Sequence, residues 1–137
     1  MKFFAVLILP RDIDPADAKS VEHCASVLMR KFKMWEDYTP VEDGHWGYYW
    51  CCTKEWMNES RLDYSAYPSA SSEQAPIVFA VDQLQPESVT ESIITPSGDW
   101  HRSKATYTEE DPRWGPKALS IFRSFPGHFG VLLYCHG

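Results

Sequence analysis

No apolar run in this chain is longer than the seven residues Phe3–Leu9, far short of the ~20 that a membrane-crossing helix needs. Positive charge is scarce as well. Thirteen Lys and Arg stand against 19 Asp and Glu, a net charge of −6, which argues against general affinity for nucleic-acid phosphates. The acids are scattered, with no run longer than Glu109-Glu110-Asp111. No Cys-x-x-Cys spacing occurs among the four cysteines, Cys24, Cys51, Cys52 and Cys135. That absence removes the usual zinc and redox signatures and leaves free thiols in a reducing compartment as the expectation. A glycine-rich phosphate loop, a serine elbow, a paired-carboxylate motif and an internal repeat are all missing, so no cofactor is expected.

What the chain has in surplus is rings. Aromatic residues make up 15% of the 137 positions, with six tryptophans. Aromatic side chains bring large contact area, and an excess of Trp and Tyr also marks binding surfaces. One domain, residues 1–137, is expected at this length, and it can bury a core without staples.

The N-terminal run resembles a signal peptide only in being apolar. It ends in Pro10-Arg11-Asp12 with no small-residue cleavage site, so a buried strand over Phe3–Leu9 and a cytoplasmic protein are expected. Asp14 as cap and Pro15 in the first turn then predict a helix from Pro15 to Met34. Val21, Cys24, Ala25, Leu28 and Phe32 form its apolar stripe. His45–Thr53 reads as an aromatic strand, with Trp46, Tyr48, Trp50 and Cys52 on one face and His45, Tyr49 and Cys51 on the other. Residues 54–67 show no clean period. Ser65–Pro76 is small and polar and reads as an exposed, mobile loop.

Ile77–Val81 reads as a short strand, and Pro86–Glu91 as a turn or two of helix. Ile93–Thr95 and Trp100–Ser103 read as a hairpin about Pro96-Ser97-Gly98-Asp99. A second helix begins at Asp111-Pro112 or Gly115-Pro116 and stops at Pro126-Gly127, with Ala118, Leu119, Phe122 and Phe125 inward. The last strand is Gly130–Cys135. The two most apolar strands, the first and the last, are expected side by side in mid-sheet. The order implies an α+β sandwich, ferredoxin-like, with a mixed or antiparallel sheet and two main helices on one face.

Thr95-Pro96-Ser97-Gly98-Asp99-Trp100-His101 resembles a Thr-Pro-Asp-Gly-x-Trp-His element of small proteins from bacteria, notably actinobacteria, and from their phages or mobile elements. Those proteins close on an Asp-Cys-His strand, where this chain has Tyr134-Cys135-His136. Their Gly-Gly-Arg-Trp element is missing here, and only 33–38 and 45–48 are loosely similar to their Trp-rich middle. The resemblance implies an accessory protein of a phage or mobile element, and it carries over no catalytic residue.

Chemistry therefore concentrates on rings and their neighbours. Trp46, Tyr48, Trp50, Trp100, His101, Arg102 and Trp114 are the candidate binding residues, because aromatics with arginine make interface anchors. The expected partner is a protein, such as a host defence protein. A small nucleotide is the second ligand class, and a homodimer is one way to cover the rings. The alternative is a small hydrolase or transferase in which Asp99 orients His101 as acid–base catalyst. Adjacent Cys51 and Cys52 point to opposite faces of a strand and do not share a metal ion, so no metal site is expected.

Overall fold

The structure, a computed structural model, describes residues 1–137. Its elements are β1 (Lys2–Ile8), α1 (Ala18–Met29), β2 (Trp35–Glu36), β3 (Thr39–Pro40), β4 (Tyr48–Cys51), α2 (Lys54–Glu59), β5 (Val78–Ala80), β6 (Ser92–Ile94), β7 (Trp100–Arg102), α3 (Trp114–Arg123) and β8 (Phe129–His136). The main sheet runs β4-β8-β1-β6-β7, with β5 also on β8, and β2-β3 form a separate hairpin. The fold is α+β with a mixed sheet: β1 and β6 are parallel, and the other pairs are antiparallel.

β1 and β8 are neighbours in mid-sheet, paired from Lys2↔His136 to Ile8↔Gly130. Both faces of β1 are covered, which explains why it is apolar at nearly every position. Ala5, Leu7 and Leu9 enter one core with Val21, Cys24, Ala25 and Met29 of α1. Val6 and Ile8 enter a second core with Met57 of α2 and Ala118 and Phe122 of α3. Each fully buried aliphatic side chain contributes about 1.5–3 kcal/mol.

This two-sided cover corrects the expectation of helices on one face: α1 lies on one side and α2 and α3 on the other. A ferredoxin-like sheet also splits its parallel pair with an antiparallel strand. Here Ala5↔Ser92 and Leu7↔Ile94 pair directly, so the parallel strands are adjacent.

Helix α1 is shorter than its sequence pattern. Asp17, not Asp14, is the cap. Its backbone is extended and its carboxylate accepts from the Ser20 N–H at 3.4 Å and the Ser20 hydroxyl at 2.9 Å. Asp14 instead accepts from the Ala16 N–H in the preceding turn at 2.9 Å. The α-helix ends at Met29, and Arg30–Phe32 tighten into a 3-10 turn before Lys33 becomes extended.

The Ser65–Pro76 segment is tied down rather than loose. Lys54 donates to Ser69 O at 2.9 Å, Glu55 N–H to Glu73 O at 3.0 Å, and the Tyr67 hydroxyl to Ser88 O at 2.9 Å. These bonds come from α2 and from the turn before β6, so local composition does not reveal them. No helix is long and apolar enough to cross a membrane.

Candidate aromatic binding surface

β4 is an edge strand, and its register on β8 builds the surface. Side chains two apart on a strand share a face, which aligns Tyr48 with Trp50 and Tyr134 with His136. The pairs Tyr48↔His136 and Trp50↔Tyr134 then lie directly opposite one another. Tyr48 stacks on Trp50 at 5.8 Å and 13°, and on His136 at 4.8 Å and 9°. Trp50 leans on Tyr134 at 5.0 Å. Trp56, from the first turns of α2, closes on Trp50 at 5.3 Å and on Tyr134 at 5.0 Å. Phe4 meets Tyr134 edge-on at 5.0 Å. Each such pair adds about 0.5–1.5 kcal/mol beyond area burial.

The ladder runs from core to solvent. Cys52 is fully buried, Trp50 is half-buried and Tyr48 is 49% exposed. Along it, the Trp50 Nε1–H is shielded from solvent and has no acceptor. A desolvated donor without a partner costs about 1–3 kcal/mol. The Cys52 N–H donates to Leu132 O at 2.9 Å, so by strand alternation the amides of Tyr49 and Cys51 point away from the sheet.

The other candidate residues do not join this ladder. Trp46 lies on the opposite face from Tyr48 and Trp50, because regular strand begins only at Tyr48. Its indole donates to Met29 O at 2.8 Å and its ring meets Tyr49 edge-on at 4.9 Å. Trp100 is also on the α1 side, stacked on His45 at 4.5 Å, edge-on to Phe32 at 5.0 Å, and donating to the Ser92 hydroxyl at 3.2 Å. Trp114 is buried and donates to Thr90 O at 2.8 Å. These three indoles anchor structure.

His101 pairs with Ile93 across β6 and is half-buried, whereas Arg102 is exposed. Asp99 serves its own turn. Its carboxylate accepts from the Ser97 hydroxyl at 3.0 Å, and its N–H donates to Thr95 Oγ1 at 3.1 Å. No hydrogen bond joins Asp99 to His101.

Two exposed or half-exposed indoles were not among the sequence candidates. Trp56 sits on the short α2, whose Thr53 cap accepts from the Trp56 N–H at 3.0 Å. Trp35 is 52% exposed on the β2-β3 hairpin, beside a fully exposed Tyr38. The charged neighbours Lys33, Glu36 and Asp37 were the available signal for Trp35.

The thiols are poor nucleophiles. Burial pushes Cys51 and Cys135 up to about 12 and raises Cys24 and Cys52. A thiolate is the reactive form. No three His, Cys, Asp or Glu side chains converge as a metal site would need. The arrangement offers ring faces. No family model, curated protein or solved structure matches this chain.

Proposed function

We propose that this protein works by binding, and that a protein partner docks on the Tyr48–Trp50–His136 ladder by adding an extended segment to the outer edge of β4. The observation that carries this reading is the half-exposed Tyr48 ring, held flat between Trp50 and His136 beside outward-facing amides. An edge strand supplies main-chain hydrogen bonds to an added strand, and flanking rings supply side-chain anchors. Preset stacking lowers the ordering cost of binding.

A cytoplasmic setting belongs to this proposal, supported by four unpaired cysteines. Occupation of a host protein by a phage- or mobile-element protein is the form that the Thr95–His101 resemblance implies. A small nucleotide is the second reading. A base would have to extend the Tyr48–Trp50–His136 stack at its end, and base–aromatic stacking is worth about 1–3 kcal/mol. The acid–base alternative has no comparable support, since Asp99 is occupied by its own turn.

The test is cross-linking from a photoreactive residue at the exposed position 47, next to the ladder, followed by affinity capture with the wild type, Tyr48→Ala, Trp35→Ala and His101→Ala. The expected result is one partner that cross-links at position 47 and is lost with Tyr48→Ala alone, although that variant, which gives up two stacking contacts, remains folded at the assay temperature. A partner that survives Tyr48→Ala and is lost with Trp35→Ala or His101→Ala would overturn the proposal.

A further inference from the structure

At the opposite edge of the sheet from β4, the end of β7 and the start of α3 enclose a cleft of about 420 Å³. Arg102, Lys104, Arg113 and Lys117 line it, with Trp114 in its wall. Four cations around one cavity are unexpected in a chain of net charge −6. Mutual repulsion disfavours such a cluster unless something compensates it.

The single carboxylate in the lining, Asp111, does not serve the cationic heads. Its oxygens accept backbone N–H groups, that of Lys104 at 2.9 Å and that of Arg113 at 3.2 Å. Those two bonds fold the 104–113 loop back and bring the four side chains to one opening. None of the four heads donates a hydrogen bond within the protein. Glu109 and Glu110 are exposed on the same loop and do not line the cleft.

The helix terminus contributes little by itself. The Trp114 amide donates to Asp111 O, the Lys117 amide donates to Arg113 O, and Pro116 has no N–H. Binding therefore rests on side chains. Two guanidinium forks suit the paired oxygens of phosphoryl groups, and two ammonium groups add point charge. The positive end of the α3 dipole acts in the same direction.

We propose that this cleft binds a small molecule carrying a chain of two or three phosphoryl groups. The cavity has room for more than one phosphoryl group, and four cations match the charge that two or three such groups carry. The site is independent of the β4 ladder.

The experiment is calorimetric titration of the full chain with inorganic triphosphate at low salt, repeated with ATP. The proteins are the wild type, Arg113→Gln, Arg102→Gln/Arg113→Gln and, as a control outside the cleft, Arg30→Gln. Saturable binding is expected to weaken roughly tenfold or more for each arginine removed. Arg30→Gln is expected to leave it unchanged, and all four proteins should melt at the same temperature. Equal affinity for the two probes identifies the phosphoryl chain as the whole ligand, and tighter ATP binding identifies a nucleotide as its source. No binding in the millimolar range, or equal weakening by Arg30→Gln and Arg113→Gln, would overturn the proposal.

Discussion

The imidazole of His45 lies flat on the indole of Trp100, with 4.5 Å between centroids and 14° between planes. Phe32 closes the assembly, its ring 5.8 Å from His45 and 5.0 Å from Trp100. This contact locks the segment before β4 onto the start of β7, at opposite ends of the strand order. His45 Nδ1 is shielded and unpartnered. Burial, then the charge of Arg102, holds the imidazole below its ordinary value of 6.5, with Asp43 opposing in part.

Stability is therefore expected to fall as pH drops below 6.5. Unfolded His45 takes up a proton there, while folded His45 resists until its own lower value is reached. The contribution is fully present above 6.5 and is lost as pH falls through the folded value. Denaturant unfolding of the wild type and His45→Phe from pH 7.5 to 5 checks this. The variant keeps a ring on Trp100 and should lose the His45 part of the slope. Parallel curves would disprove the assignment.

Gly130 has no room for a side chain. A Cβ there would stand 2.8 Å from Val81 Cγ2, 2.9 Å from Phe79 Cε2 and 3.0 Å from Val6 Cγ1. All three belong to the packed core under α3. Gly130→Ala is expected to destabilise by about 1–3 kcal/mol through overpacking. Urea denaturation measures it, and a neutral or stabilising result would mean that this part of the core is looser than described.

Trp50 combines a useful ring with a costly N–H. Trp50→Ala removes the ring and should cost about 3 kcal/mol, the lower end for a large side chain. Trp50→Phe keeps a ring against Tyr134 and deletes the unsatisfied donor, so its cost should stay under about 1.5 kcal/mol. Equal losses in the two variants would show that the donor finds an acceptor in solution.

Thiol titration should be slow. With Cys51 and Cys135 near 12 and the other two raised, a disulfide reagent at pH 7.5 should label the native protein far more slowly than the unfolded chain. Rapid labelling of one cysteine in the native state would place it in a polar, exposed setting that this fold does not provide.

Reading the sequence located β1, β8, the hairpin about Gly98 and the body of α1 and α3. Each of these is written in local pattern: an unbroken apolar run, a turn residue at φ +86, or apolar residues at helical spacing. Alternation also paired Tyr48 with Trp50. It carried Trp46 to the same face only because the strand was started too early; Gly47, next to it, donates to His136 O and lies outside β4. The one-sided helix layer failed for a similar reason. An apolar run records that both faces of β1 are buried, but not which helix covers which face.

The sequence by itself determined the α+β class, the central strands and the surplus of rings, because periodicity and turn chemistry act between near neighbours in the chain. Which rings are wet was decided only by the tertiary structure. Tyr48 stays half-exposed because β4 is the last strand of the sheet, while Trp114 is sealed in the core and donates to the carbonyl of Thr90, 24 residues away. The same holds for the cationic cleft: net charge is a sum over the chain, whereas a local field depends on which side chains the fold gathers around one opening.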